Sequence, residues 1–309
     1  MVKLHDGTNE IRRIAVMALL RNCEKYLQDI LFPQLASWEK IYSGENGIKF
    51  SYYFLENDSI DQTRALIDSF MQGRSGFFVK IDGLPPIKRA HDGVNFGRVE
   101  RLTDLRNRLL TAAKENGLME NDWTVIMDTD IVFDERILSD LFELKPAAKN
   151  IGMLCPYALE MNDRKTLQKM LAPESFARLP PEGEWNSLGH YYDTFALVYN
   201  DGHNTWPSCR FKKCLYCKQA QSTMGLPLAD ETAEENGALL EVKSCFGGFG
   251  LIKTDSFQHK SLIWDAFNMF ARQICTCEHI MFCEKLRTLT GRRICIATKV
   301  DLLCLISKH

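Results

Sequence analysis

The chain has 309 residues, 45% of them hydrophobic and 25% charged, the composition of an ordinary globular protein with ample material for a core. Lys and Arg number 38 against 40 Asp and Glu, a formal net charge of -2, which excludes an overall basic field able to hold a nucleic-acid backbone or an anionic membrane. Eleven cysteines without a regular framework read as reduced thiols, and the apolar run Ile14 to Leu20 is too short to span a bilayer, so the expectation is a soluble, cytoplasmic protein with no membrane span.

Residues 13–20 (RIAVMALL) read as a buried strand, followed by Arg21 and Asn22 and a helix with apolar positions at Leu27, Ile30, Leu31, Leu35 and Trp38, kinked at Pro33. Residues 48–55 are a second strand that ends in Glu56, Asn57 and Asp58. Ser59 and Gln62 have the spacing of a capping box, which predicts a helix through Ile60, Leu66, Ile67 and Phe70. Phe77 to Ile81 is a short third strand. Residues 83–97 are a loop, and Arg98 to Asn116 a helix ended by Gly117. Trp123 to Met127 is the fourth strand, with Asp134 placed to cap the helix that runs to Leu144.

After Ile151 to Tyr157 the pattern loosens, and residues 160–240, with Pro173, Pro180, Pro181, Pro207 and Pro227, suggest a loop-rich excursion. Glu241 to Lys253 is a strand broken at Gly247-Gly248, Glu278 to Thr290 a helix closed by Gly291, and Arg293 to Thr298 a last strand. Alternation of strands and helices implies an α/β fold with a mostly parallel central sheet flanked by helices. Ligands of such sheets sit beyond the carboxyl ends of the strands, where Asn22, Glu56 and Asp128 all fall.

The stretch "DWTVIMDTDIVFDE" sets Asp128 and Asp130, either side of Thr129, at the end of a buried strand. Side chains two apart on an extended chain point the same way, so two hard oxygen ligands on one face suit Mn²⁺ or Mg²⁺ completed by water and substrate phosphates. A solvated acidic turn is the plainer reading of such a pair. The loop Glu56 to Thr63 can hydrogen-bond a base edge or ribose hydroxyls, or can be Asx-turn and capping chemistry alone; composition leaves both open. Arg101, Arg106 and Asn107 lie on the helix before the Asp-Thr-Asp strand. The two arginines are not an i, i+4 pair and need not share a face, and they read as diphosphate contacts or as a solvated helix surface.

Glycine inside a strand, as at Gly247 and Gly248, marks a bulge or a close backbone approach by a ligand. Cys277, Glu278 and His279 open the late helix, where a carboxylate can take a proton and an imidazole can ligate a metal. The cysteines at 209, 214 and 217 and at 275, 277 and 283 do not form two knuckles of regular spacing, so a structural zinc is disfavoured.

In chain order, "IAVMALLRN", "YYFLENDSIDQT", "ERLTDLRNRLL", "VIMDTDIVFD", "YYDTFALVYNDG", "VKSCFGGFGLIKTDSF" and "CEHIMF" resemble the fungal capsule-associated α-1,3-mannosyltransferase family, over about residues 13–285. The resemblance implies the Rossmann-like GT-A glycosyltransferase fold as one domain over 1–309. Residues from about 11 to 150 would bind the nucleotide sugar, and those from about 151 to 309, loop-rich, the acceptor. It implies a GDP- or UDP-sugar donor and a glycan or glycoconjugate acceptor, while the net charge argues against a nucleic-acid partner. It places Arg21, Asn22, Glu56, Asn57, Asp58, Arg101, Arg106, Asn107 and Thr129 on the donor side and Asp128 and Asp130 on the metal. Asp193, Gly247, Gly248 and Glu278 would face donor sugar and acceptor, with Glu278 and Asp193 the catalytic choices.

Many GT-A enzymes place a further metal-binding histidine after the last strand, where this chain has Lys299. Either His279 takes that place, or the metal is held weakly, or Lys299 itself meets the phosphates. If configuration is retained, as the family implies, a leaving phosphate oxygen can take the acceptor proton; if it is inverted, Glu278 is the base. A catalytically silent sugar- or nucleotide-binding module and a nucleotidyltransferase on a similar sheet are the rival readings.

Overall fold

The computed structural model describes residues 3–44, 47–86, 96–161, 196–200, 238–268, 273–274 and 277–305. Four parallel strands open the sheet: β1 (Arg13–Leu20), β2 (Lys49–Asn57), β3 (Ser75–Ile81) and β4 (Trp123–Met127). β5 (Ile131–Phe133) follows β4 after three residues, and β6 (Ile151–Met161), β7 (Val198–Tyr199), β8 (Leu239–Ser244), β9 (Phe249–Lys253) and β12 (Arg293–Leu305) complete the sheet. Its order is β3-β2-β1-β4-β9-β6-β12-β8-β7, with β5 added on β12, while β10 (Phe267–Asn268) and β11 (Gln273–Ile274) form a separate pair. β1 to β4 run parallel, as do β6 and β12; β9, β8 and β5 run antiparallel to their neighbours. This is the expected α/β architecture, with a larger antiparallel share than alternation alone predicts.

The buried strands are apolar on both faces because helices cover them. β1 contributes Ile14, Ala15, Val16, Met17, Ala18 and Leu20, and β4 contributes Trp123, Val125, Ile126 and Met127, none more than 3% exposed. The helix after β1 is built in three pieces, α1 (Glu24–Tyr26), a π-turn (Leu27–Leu31) and α2 (Phe32–Tyr42). Phe32 N–H returns five residues to the Leu27 carbonyl, and Pro33, which has no N–H to donate, follows at once. The widened turn is how this chain absorbs the kink expected at Pro33. Leu27, Ile30, Leu31, Leu35 and Trp38 all face the core.

α3 (Thr63–Met71), α4 (Phe96–Glu115), α5 (Ile137–Glu143) and α6 (Glu278–Thr290) are the other described helices. α6 ends at Gly291, whose φ of 65° supplies the left-handed closing residue that the sequence predicts. It packs on α4 as well as on β6 and β8, which brings two residues 172 apart in sequence into contact. No helix among the described residues is long and apolar enough to cross a membrane.

Three expectations fail locally. The helix after β2 begins at Thr63, so no capping box forms: Ser59 Oγ accepts from Asn22 N–H, and Ile60, expected on the buried helix face, is 94% exposed. Residues 241–253 are not one interrupted strand. The turn at Gly247 (φ 62°) and Gly248 (φ 77°) throws β9 between β4 and β6, while β8 pairs with β12, three places along the sheet. Asp134 accepts from Arg136 N–H at 2.7 Å and caps a turn, and α5 starts only at Ile137. The final strand also runs on to Leu305, with an irregularity between Ala297 and Asp301.

Candidate active site

Register aligns the polar strand ends. Leu20 lies beside Glu56 and Ala18 beside Met127, so Arg21, Asn22, Glu56 to Asp58 and Asp128 leave neighbouring strands at one sheet edge. The Asp128-Thr129-Asp130 turn is held from both sides. Asp128 N–H donates to the Gly248 carbonyl at 2.8 Å. On the other side β5 pairs with β12, and the buried Gln34 side chain accepts from Phe133 N–H at 2.8 Å and donates to the Ile131 carbonyl at 3.2 Å. Phe133 then sits between Trp38 and Phe249, with ring centroids 5.0 and 5.9 Å away. The acidic turn is therefore fixed by a core on both flanks, and left-handed glycines are needed to bring the Gly248 carbonyl to it.

Asp128 Oδ1 accepts from Arg106 Nη2 at 3.4 Å, and Arg106 Nε donates to Glu278 Oε1 at 2.9 Å. Arg106 is 6% exposed and Glu278 3%, so this guanidinium spends its charge inside the protein. Its carbon lies 5.2 Å over the Phe246 ring. Phe246 in turn stacks on His279, centroids 3.8 Å apart at 12°. Trp264 Nε1–H donates to His279 Nδ1 at 3.4 Å, which leaves the neutral imidazole's proton on Nε2. That Nε2 is buried without a hydrogen-bond partner, 3.6 Å from Glu278 Oε1.

The titration of these groups separates them. Burial pushes the Asp128 carboxyl up, Arg106 pulls it down, and the net displacement is upward. Asp130 is pushed up to about 7, first by burial and second by the charge of Asp128. Burial also favours the neutral form of Glu278, yet His279 and Arg106 together hold it below its ordinary value. Burial drives His279 down to about 3, so at neutral pH the guanidinium is the charge that keeps Glu278 ionised.

The loop after β2 is closed in on itself. Glu56 is fully buried; Oε1 accepts from Ser59 N–H at 2.6 Å, and Oε2 pairs with Arg64, which also binds Asp82. Asp58, at φ 49°, accepts from Gly83 N–H at 2.7 Å, and Asn57 donates to Asp58 at 3.3 Å. Asn22, at φ 47°, accepts from Ile60 N–H at 2.9 Å, and Asp61 accepts from the N–H groups of Thr63 and Glu24. The carboxylates of Glu56 and Asp61 are thus met by partners within the fold, while Arg21 remains exposed.

The other expected residues divide. Asn107 presents both ends of its amide to the backbone of Trp264, at 2.9 and 3.0 Å, and so clamps the segment before α6 onto α4. Arg101 binds the Pro85 carbonyl and does not share the buried position of Arg106. Thr129 is half-buried between the aspartates. Lys299 is exposed, and the pairing of Cys304 with Ile131 and of Leu302 with Phe133 carries it past the far end of β5, away from Asp130. His279 is sealed against Phe246, and among the described residues no three His, Cys, Asp or Glu side chains converge on a metal position. Asp193 lies outside the described residues.

Sequence reading missed Phe246, Trp264 and Arg98. Arg98, exposed on the first turn of α4, lowers the pKa of both aspartates from outside. Its position in a basic helix start was the one available signal; nothing local marked Trp264.

No family model matches the chain, and no curated protein matches its sequence. TarS 1-349 from S. aureus superposes with a TM-score of 0.49 at 12% identity, over 95% of this chain and 60% of that one, and TarS 1-349 has also been solved with UDP-GlcNAc. The mannosyltransferase PcManGT from Pyrobaculum calidifontis, in complex with GDP-Man and Mn²⁺, gives 0.45 at 12% identity over 98% and 58%. Glucosyl-3-phosphoglycerate synthase from Mycobacterium tuberculosis, with Mg²⁺ and UDP, gives 0.41 at 14% over 95% and 70%. The chain spans about 60% of the length of TarS 1-349 and of PcManGT. These are likenesses of the backbone course; the side-chain assignments above rest on the geometry of this chain.

Proposed function

We propose that this protein transfers a sugar from a GDP- or UDP-sugar to a hydroxyl of a glycan or glycoconjugate, in the GT-A arrangement that its sequence blocks resemble. The observation that carries the reading is the aspartate pair: two carboxylates two residues apart at the sheet edge, with Asp130 making no ion pair among the described residues and pushed up to about 7. Carboxylates held together against their own repulsion fit a hard divalent cation, Mn²⁺ or Mg²⁺, that needs few protein ligands when waters and phosphates fill the rest of its shell. Asp128 and Asp130 would hold it; once bound, such an ion neutralises the charge that grows on a departing nucleoside diphosphate.

The chain's own residues do the remainder. The Gly248 carbonyl and Arg106 fix Asp128 before any ligand arrives, which removes reorganisation from the reaction. Exposed Arg98 and Arg21 stand at the same edge as cations for the diphosphate or the base. Glu278 is engaged by Arg106 and nearly sealed from solvent, which favours the retaining course, with the acceptor proton passing to a donor phosphate oxygen, over a Glu278 base. A thermal-shift screen of UDP- and GDP-sugars with and without Mn²⁺, followed by an assay for released nucleoside diphosphate, tests the proposal. Full activity of both Asp128→Asn and Asp130→Asn in the presence of a chelator would sink it.

A further inference from the structure

We infer that Arg106 and Glu278 are positioning residues, a buried ion pair whose task is to keep the Asp128 carboxylate aimed so that the opposite carboxylate oxygen and Asp130 stay free for a cation. The inference rests on reading the aspartates as a cation site. It differs from placing Arg106 on a diphosphate and Glu278 on an acceptor proton, because neither side chain has surface to offer a ligand: they are 6% and 3% exposed.

Geometry ranks the contacts. The guanidinium sits 2.9 Å from Glu278 but 3.4 Å from Asp128, so Glu278 holds the arginine and the arginine only leans on the aspartate. Were the partners reversed, a tight Arg106–Asp128 pair would neutralise half of the acidic site. A buried arginine without Glu278 would have that single partner left. Phe246 under the guanidinium blocks movement in one direction, and it is itself held flat against His279, whose orientation Trp264 sets. The Phe246-Gly247-Gly248 turn therefore acts on Asp128 twice, through the Gly248 carbonyl on its backbone and through the seat of Arg106 beside its side chain. The same turn also carries the chain into β9, next to β4, so placement of the acidic turn and of its counter-charge cannot drift independently.

Charge and position can be separated by experiment. Glu278→Gln removes one negative charge; Arg106→Gln with Glu278→Gln removes one charge of each sign and leaves two amides able to hydrogen-bond each other. Mn²⁺ binding is read directly from the electron paramagnetic resonance of the free ion, and thermal unfolding in a chelator verifies the fold. Groups that orient a ligand residue typically contribute about 10- to 100-fold in metal affinity, so both variants should raise the Mn²⁺ dissociation constant by about tenfold or more. For the double variant this is expected although its net charge is that of the wild type. Glu278→Asp should recover part of the loss.

A double variant that binds Mn²⁺ like the wild type overturns the inference, and so does a Glu278→Gln protein that loses turnover with Mn²⁺ affinity unchanged, the signature of a base. If the double variant does not fold, Phe246→Leu replaces it: the seat is lost without any change of charge, and unaltered Mn²⁺ affinity there is equally fatal. A wild-type protein that binds no Mn²⁺ removes the cation reading itself, and this inference with it. Normal wild-type binding with unaffected variants removes only the inference.

Discussion

Two acidic strand ends lie at the same edge of one sheet and behave in opposite ways. In the loop after β2, Glu56, Asp58 and Asp61 are met by Ser59, Arg64, Gly83, Thr63 and Glu24, all within the fold. In the turn after β4, Asp128 has one long contact to a guanidinium already committed elsewhere, and Asp130 makes no ion pair among the described residues. A carboxylate satisfied by the fold stabilises the fold, while one left short of partners is available to a ligand. Sequence composition alone does not separate these roles; accounting for each oxygen does.

Breaking the β2 loop should have the largest effect on stability. Glu56→Ala removes the fully buried acceptor of Ser59 N–H and one of the two carboxylate partners of Arg64, and should cost about 1–3 kcal/mol in denaturant unfolding, as leaving a buried hydrogen-bond partner unsatisfied generally does. Mn²⁺ affinity of the folded fraction should not change; a parallel loss of both would mean that the two loops are one site. Next comes the acidic turn itself. Asp128→Asn or Asp130→Asn should lower sugar transfer by about 10²–10³-fold, the scale seen when a group that stabilises developing charge is removed. Unfolding midpoints in a chelator should not fall, because mutual repulsion is relieved.

The same contrast predicts opposite pH slopes. Asp58 and Asp61 are lowered from 3.8, against the upward pull of burial, by hydrogen bonds to Asn57 and to Thr63; they contribute stability above 3.8 that is lost as pH falls below it. Asp130 is raised to about 7, so its contribution is fully present below 3.8 and is lost as pH rises through about 7. Metal-free wild-type protein should therefore lose several degrees of melting temperature as pH climbs to neutrality, and Asp130→Asn should flatten that slope. Mn²⁺ should restore the wild type at neutral pH but not the variant. The smallest effect belongs to Gly248→Ala. At a φ of 77° an added Cβ costs roughly 1–2 kcal/mol, and a drop in Mn²⁺ affinity in parallel would show that the Gly248 carbonyl positions Asp128.

Legibility followed the range of the interactions. Strands β1, β2 and β4 and helix α6 could be read because an apolar run or a helical apolar period, closed by an explicit stop such as Gly291, is a local signal. The helix after β2 was misread because a capping-box spacing is only an offer. Asn22, 37 residues earlier, took the Ser59 hydroxyl instead. Residues 241–253 were read as one strand because periodicity says nothing of which neighbours a strand will find. The acid pair was seen, and so were Arg106 and Glu278, but as ligand contacts; their pairing with each other depends on α6 packing on α4.

Sequence by itself determined where the charges are: which carboxylates end a buried strand, which glycines can turn, and that no global field could serve an anionic ligand. Those properties are set by single residues and their nearest neighbours along the chain. Only the tertiary structure decided which charges are spent. It gave Glu56 to Arg64 and Glu278 to Arg106, sealed His279 beneath Phe246, moved Lys299 away from the acidic turn, and left Asp130 without an ion pair among the described residues. Electrostatic partnership acts through space over a few ångströms and takes no account of distance along the chain.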